Sequence, residues 1–527
     1  MSFRLTYATM YNPPEAMHER FEAALARVSA GLGVRHDLFI DGADRDAALY
    51  SDRRAPFDNA LHLGSFAQAS EADADVAMRA AQAAYPAWRA TPVAERARLI
   101  RRVGDLLEER VYDIAAALVL EVGKNRMEAL GEAQETVDFF HHYADDFESH
   151  AGYAHVLPDD PIDGVASHNA SVMRPHGVWV VIAPFNFPLA LAGGPTAAAL
   201  VTGNTVVLKG ASDTPWAARL LADCIRDAGL PPGVFNCLSG SGRETGEALA
   251  QHPLTAGITF TGSVAVGRHL MRQMAGGAWP RPCIAEMGGK NPCIVTERAN
   301  LDDAAAGIVR SAYGMSGQKC SALSRLYVHD SVADALIERL RQQIAAIRLG
   351  DPRLREHWMG PVMNATAYGN YRQYIDELQS GGATLLAGGH RLGEGASGPV
   401  PLARGYFVEP TLAEVPPDHP LWQQEMFLPI LTLHRYRDRD EAMRLANDTT
   451  MGLTAGFYGG ADEVAWFHEH IEAGVTYANR PQGATTGAWP GYQPFGGWKG
   501  SGSTGKAIAS FYYLAQYLRE QSRTVVE

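Results

Sequence analysis

The chain has 527 residues, too many for one ordinary hydrophobic core, so two or three domains are expected. Hydrophobic residues at 46% and charged residues at 20% match an ordinary globular protein, and the 53 glycines and 30 prolines signal many loops without low complexity. A net charge of -13, with no run of five or more Lys/Arg, excludes nucleic-acid and anionic-membrane partners, both of which need basic patches.

The N-terminal region, from Met1 to Asp44, has no continuous apolar core of the kind a signal peptide carries. From about Glu71 to Phe147 the pattern is helical. Thr91 is expected to cap and Pro92 to start a helix whose Leu99, Ile100, Val103, Leu106 and Leu107 share one face. A second helix, about Arg126 to Phe147, reads as acidic on its exposed turns, and the polar stretch Asp159 to Asp163 reads as a crossing arm.

The character then changes to alternating strand and helix. Strands are expected at 177–183, 205–208, 234–238 and 258–260, with helices through Leu200, from Pro215 to Ala228 and from Thr245 to Gln251. This spacing implies a parallel sheet with right-handed crossovers. The apolar run from Val178 to Val201 is interrupted by Pro184, Asn186, Pro188 and Pro195, so it is a buried strand and helix rather than a membrane span. A second α/β segment follows Gly288-Gly289, with strands near Cys293–Val295 and Leu326–Val328 and a helix from Val332 to Ile347. Residues 387–405 form a glycine-rich surface loop, read as a hairpin because no strand feeds it directly into a helix. Near the C terminus, Thr524-Val525-Val526 reads as an edge strand seeking a partner.

The five cysteines (Cys224, Cys237, Cys283, Cys293, Cys320) form no Cys-x-x-Cys pair and have no accompanying His spacing. Neither a disulfide framework nor a metal site is expected, and reduced thiols in the cytoplasm follow. Cys320 stands out by its surroundings. It follows two glycines, sits among small polar residues, and adjoins Lys319, whose charge favours a thiolate.

Three other segments carry chemistry. Thr261, Gly262 and Ser263 lie between a strand and a helix, where free N–H groups and the helix dipole favour an anion. Asn186 lies at the carboxyl end of a strand, the place where open α/β sheets bind ligands, and its amide can join the Cys320 N–H in holding an oxyanion. Glu286 lies beside a glycine pair with apolar Ile284 and Met287 around it, a setting that raises a carboxyl pKa toward that of a general base. Singly, these are a turn-forming Asn, a loop Glu and a buried Cys. Jointly they are the parts needed to attack a carbonyl.

Asn186, Glu286 and Cys320 in this order, with Phe260-Thr261-Gly262-Ser263, Gln424-Glu425-Met426-Phe427-Leu428-Pro429 and Pro494-Phe495-Gly496-Gly497-Trp498-Lys499-Gly500-Ser501-Gly502, resemble the aldehyde dehydrogenase superfamily from about residue 55 to the C terminus. The resemblance implies an α/β fold. A Rossmann-type dinucleotide-binding domain would take residues 1–152 and 172–288 and an α/β catalytic domain 289–484. A β-arm for homodimer or larger assembly would take 153–171 and 507–527, and a substrate-anchor loop 485–506. It implies NAD or NADP as cofactor, no metal, and a non-acylating reaction. Cys320 would attack the aldehyde, Asn186 would hold the oxyanion, and Glu286 would activate water against the thioester.

Carried over residue by residue, Lys209 would reach the adenosine ribose and Gly242 and Gly246 would pass near the adenine. Gly262 and Ser263 would hold the pyrophosphate, and Glu425 with Phe427 would position the nicotinamide ribose. Ile182, Ala183, Pro184, Phe260, Thr261 and Gly288 would line the rest of the cofactor site. This chain departs from the pattern at Ser212, where many NAD-preferring members carry a glutamate that repels a 2′-phosphate; its loss opens the site to NADP. Gly210 replaces the common Pro, and Leu428 the usual Gly.

Within the superfamily, Glu121-Val122-Gly123-Lys124-Asn125, Gly317 to Ala322 and Gln493 to Lys499 resemble the 1-pyrroline-5-carboxylate dehydrogenases. That likeness implies oxidation of L-glutamate γ-semialdehyde to L-glutamate in proline breakdown. The α-carboxylate would be held by Ser321 and by the loop containing Ser501 and Gly502, the ammonium by Glu128 or Glu132, and the aldehyde tunnel would be walled by Phe187. The loop departs from the pattern at Gly505 to Phe511. Another semialdehyde or an aromatic or aliphatic aldehyde is the alternative substrate, favoured if Ile508 to Phe511 closes the carboxylate site. A catalytically silent nucleotide-binding scaffold would have lost Cys320 or Glu286, and both are present. A DNA-binding regulator is disfavoured by the acidic charge.

Overall fold

Buried runs of Val, Ile and Leu alternate with helices to build two seven-stranded sheets in the computed structural model, which describes residues 3–393 and 402–527. In the first sheet the order is Cys283–Glu286, Thr255–Thr261, Val178–Ile182, Thr205–Lys209, Phe235–Leu238, Leu38–Ile40 and Ala43–Arg45. The five strands from 283–286 to 235–238 pair in parallel, and the last two join antiparallel at the edge. Val178 to Val181 are fully buried because helices cover both faces, which is why this strand reads as a continuous apolar run. The chain order reverses on either side of Val178–Ile182, so a crevice opens at the carboxyl ends of these strands.

The helical region is four helices, Glu71–Ala90, Val93–Glu109, Val111–Val122 and Arg126–Ser149. Leu99, Ile100, Val103, Leu106 and Leu107 are buried together, as the spacing requires. Thr91 does not cap the second helix. It closes the first, its hydroxyl donating to the Ala87 carbonyl, and Pro92 occupies the position just before Val93. The acidic face of Arg126–Ser149 is not wholly solvated either, for Glu128 and Glu132 are buried. Glu132 pairs with the Lys124 ammonium and accepts the Leu189 and Ala190 N–H groups, while Glu121 accepts those of Trp216 and Ala217. Each carboxylate satisfies the free N–H groups of a helix start, Ala190–Val201 and Pro215–Asp227 respectively, and staples it to the helical layer.

The second sheet runs Thr384–Ala387, Thr411–Glu414, Ile430–Tyr436, Leu323–His329, Asn291–Val295, Thr454–Tyr458 and Val475–Ala478, parallel except at its first pair. Part of the expected glycine-rich loop, residues 394–401, lies outside the described residues. A third sheet joins Leu518–Val526, Ser167–Pro175 and Ala154–Leu157 in antiparallel order. Among the described residues, no helix is long and apolar enough to cross a membrane.

Candidate active site

Cys320 lies in the turn between the Gly314–Gly317 helical turn and the strand Leu323–His329. Met315, Ser316 and Gly317 take positive φ values of 53°, 55° and 69°. A left-handed run with two non-glycine residues costs on the order of 1–2 kcal/mol for each of them, so the surroundings must over-determine it. They do. The Ser316 hydroxyl donates to the Gly360 carbonyl at 2.7 Å, the Gln318 carbonyl-side oxygen accepts the Met363 N–H at 2.8 Å, and Asn291 donates to both the Cys320 and Ala322 carbonyls at 2.8 Å. Gly317 is obligatory, since a Cβ there would fall 2.3 Å from the Leu428 carbonyl oxygen.

Asn186 is buried and its amide donates to the Gln318 carbonyl at 3.0 Å, tying it to the backbone two residues before Cys320. One amide N–H remains for an oxyanion. Glu286 ends the strand Cys283–Glu286 and is also buried. Burial pushes its carboxyl up to about 8 against the lowering effect of the Gly497 N–H, which it accepts at 3.1 Å. In this orientation Glu286 lines neither adjoining cavity.

Burial, with the negative charges of Glu425 and Glu286, pushes the Cys320 thiol up to about 12. The expectation that Lys319 favours the thiolate is overturned, because its ammonium pairs with Glu128 at 3.0 Å and is neutralised there. A proton acceptor, rather than a neighbouring cation, must activate this sulfur.

Two cavities meet at Cys320. The larger, about 500 Å³, is lined by Ile182, Ala183, Pro184, Lys209, Ser212, Gly242, Gly246, Phe260, Thr261, Gly262, Ser263, Gly288, Glu425 and Phe427, all fourteen of the expected cofactor residues, together with Asn186. Ser263 caps the helix Val264–Ala275, so its first-turn N–H groups face this space. Phe427 takes a positive φ of 56° and meets Phe185 edge-on at 5.8 Å, and Glu425 accepts the Gly289 N–H at 2.9 Å. The residues fit a dinucleotide. A Cβ at Gly242 would meet nothing within 4 Å, leaving bare main chain where a flat base can lie. Lys209 is buried, its ammonium lowered to about 8 by that burial, and among the described residues it donates to the Ser212 hydroxyl at 3.3 Å, which leaves donors for a ribose.

The smaller cavity, about 90 Å³, is lined by Phe187 and Ser321 from the expected set, with Lys319, Glu135, Gly487, Ala488 and Trp489. Against this geometry, comparison with known proteins is decisive: residues 45–522 match the aldehyde dehydrogenase family. The chain belongs to the aldehyde dehydrogenase family. A protein of Geobacillus sp. (strain WCH70) named 1-pyrroline-5-carboxylate dehydrogenase is 36% identical over 523 residues, covering 97% of each chain. The crystal structure of 1-pyrroline-5-carboxylate dehydrogenase from Thermus with bound NAD is 34% identical with a TM-score of 0.91, covering 100% of this chain and 99% of that one. Proline utilization A from Bdellovibrio bacteriovorus superposes with a TM-score of 0.90 at 36% identity, and 97% of this chain spans 52% of its length.

In this aldehyde dehydrogenase the expected carboxylate anchor is displaced. Ser501 is fully buried, its hydroxyl donating to the Gly288 carbonyl at 2.7 Å and accepting the Gly452 N–H at 3.0 Å, and Gly502 packs back on Gly497. Both brace the loop behind Gly288 and neither lines the smaller cavity. Glu128 and Glu132 are likewise excluded, their oxygens engaged by Lys319, Lys124, Asn125 and the Leu189 and Ala190 N–H groups. The carboxylate that does reach the cavity is Glu135, on the same helix. The sequence signal existed, because Glu135 stands one turn past Glu132 on the same face. Gly487-Ala488 lie within the expected anchor loop 485–506, although Ser501 and Gly502 were the residues named in it.

Among the described residues, no group of three or more His, Cys, Asp or Glu is arranged to hold a metal ion.

Proposed function

We propose that this aldehyde dehydrogenase oxidises L-glutamate γ-semialdehyde, the open form of 1-pyrroline-5-carboxylate, to L-glutamate with NAD or NADP. The observation that carries it is the make-up of the small cavity around Cys320. It offers one carboxylate, Glu135, for an ammonium, and Ser321 with the Gly487-Ala488 main chain for a carboxylate, the two charged ends of an α-amino acid. The names and near-complete coverage of the relatives support the same reading.

In this account Glu286, turning from Gly497, takes the proton of the Cys320 thiol and the sulfur adds to the aldehyde carbon. The Asn186 amide and the Cys320 N–H hold the resulting oxyanion. A nicotinamide bound in the larger cavity supplies the hydride acceptor. After giving the thiol proton up to solvent, Glu286 removes a proton from water attacking the thioester, and its raised pKa suits that task near neutral pH. Lys209, Ser212, Gly242, Gly246, Thr261, Gly262, Ser263, Glu425 and Phe427 would hold the dinucleotide. With a hydroxyl at Ser212, itself donating to the Gly240 carbonyl at 2.9 Å, no carboxylate stands at that position to reject a 2′-phosphate.

Assembly as a homodimer or larger oligomer belongs to the same reading. The strand Leu518–Val526 is exposed beyond Leu518 and leaves one edge open, and Val156, Val525 and Val526 present apolar surface nearby. A cytoplasmic setting is supported by five cysteines that are all free. The test is NAD(P)H absorbance with 1-pyrroline-5-carboxylate against propanal and benzaldehyde. The expected result is a higher kcat/KM for 1-pyrroline-5-carboxylate; equal or better turnover of the simple aldehydes overturns the substrate.

A further inference from the structure

The small cavity has a wall drawn from the far N terminus. Three separate anchors seat the segment Arg4–Tyr11 there. The Arg4 guanidinium pairs with Asp138 at 3.1 Å, and the same carboxylate accepts the Trp489 indole N–H at 2.7 Å. The Tyr7 hydroxyl donates to Glu135 at 2.7 Å. The Tyr11 hydroxyl donates to the Gln482 carbonyl at 3.3 Å, with the Arg310 guanidinium 3.8 Å over its ring.

Tyr7 is the centre of this wall. Its ring stands edge-on to Trp489 at 5.0 Å and to Phe187 at 6.3 Å, so three aromatics that line the cavity pack against one another. The helix Arg126–Ser149 makes room for it at Gly131, where a Cβ would fall 2.9 Å from the Tyr7 ring. Without a side chain there, the ring lies flat enough on the helix for its hydroxyl to reach Glu135, one turn further on. Glu135 is half-buried, and it is the one carboxylate among the residues that line this cavity.

We propose that the segment Arg4–Tyr11 is the specificity wall of the aldehyde cavity, in which the Tyr7 ring limits the length of the substrate and the Tyr7 hydroxyl positions Glu135 for a cationic group on it. This rests on reading that cavity as the aldehyde site. Its two halves are separable. The ring acts by volume on any aldehyde, whereas the hydroxyl acts through Glu135 on an ammonium-bearing one alone. Burial pushes the Glu135 carboxyl up to about 8 and the Tyr7 hydroxyl opposes that push, so the hydroxyl favours the ionised form that an ammonium needs.

The experiment measures kcat and KM separately for 1-pyrroline-5-carboxylate, propanal and hexanal in wild type and in Tyr7→Ala, Tyr7→Trp and Tyr7→Phe. Melting temperature and NAD titration serve as folding controls. Tyr7→Ala should raise the hexanal-to-propanal ratio of kcat/KM by about 10-fold and Tyr7→Trp should lower it by a similar factor, since a methylene-sized change in a pocket is worth that much. A general structural defect would lower both substrates together and could not move the ratio in opposite directions. Tyr7→Phe should leave that ratio unchanged and raise KM for 1-pyrroline-5-carboxylate about 5- to 10-fold with kcat within about twofold, the size of one lost hydrogen bond. Ratios and KM values within about twofold of wild type in all three variants overturn the proposal. A wild type that prefers propanal to 1-pyrroline-5-carboxylate overturns the substrate reading instead, while the chain-length ratio still decides the wall.

Discussion

The two cavities that meet at Cys320 are built by different means. The larger is made at the carboxyl ends of parallel strands and at a helix start, with bare main chain exposed at Gly242, Gly246, Gly262 and Gly288. The smaller is made from side chains delivered by widely separated segments: the N terminus, the helix Arg126–Ser149, the turn at 319–321 and the loop at 482–495. Main chain exposed at strand ends is fixed by the topology of the sheet, so the first site follows from the fold itself. Side chains on loops are free to vary without disturbing that sheet, so on the proposed reading the second site is the one that sets the choice of aldehyde.

Substitutions can break this contrast. The largest effect is expected at the junction. Cys320→Ser should lower kcat by about 10³-fold or more, because the whole covalent route is lost, while NAD binding measured by fluorescence titration stays near wild type. A comparable loss of NAD binding would show that the two cavities are not separable there. Next in size, Asn186→Ala removes one oxyanion donor and should lower kcat about 10²-fold with little change in KM; steady-state kinetics with a saturating aldehyde reads it. Because Asn186 also braces Gln318, the melting temperature of that variant separates a displaced Cys320 loop from a lost donor. The smallest effect is on the cofactor side. Ser212→Glu returns a carboxylate beside Lys209 and should raise KM for NADP about 10-fold relative to NAD, leaving the ratio of aldehyde substrates unchanged.

The same contrast explains what the sequence could and could not tell. Strand ends and the Thr261-Gly262-Ser263 turn announce themselves by periodicity and by turn residues, and with the family resemblance they led to fourteen of the residues that line the larger cavity. The smaller cavity was only partly legible. Ser321 and Phe187 were named through the family resemblance, and both line this cavity. Ser501 was misplaced because a small hydroxyl residue beside a glycine serves equally to hold an anion or to brace a neighbouring loop, and only the Gly288 and Gly452 contacts distinguish the two. Glu128 and Glu132 were misread because helix spacing puts them on one face but does not reveal that Lys319 and Lys124 already occupy them. Tyr7 carries no local signal at all. It matters through Glu135, 128 residues away.

The account depends on Cys320 carrying the acyl group and on Glu286 releasing it. The most direct measurement is stopped-flow NADH formation by Glu286→Gln with 1-pyrroline-5-carboxylate and NAD, followed by intact-mass analysis. Glutamine can take neither the thiol proton nor that of water, so the account predicts a slowed NADH rise of no more than about one equivalent per subunit, then near-arrest with an acyl adduct on Cys320. Wild type should turn over continuously, with hydrolysis rising as pH climbs through about 8, because its base works only when ionised; that rise should be missing from the variant. Sustained turnover by Glu286→Gln with the wild-type pH profile and no adduct would contradict the account.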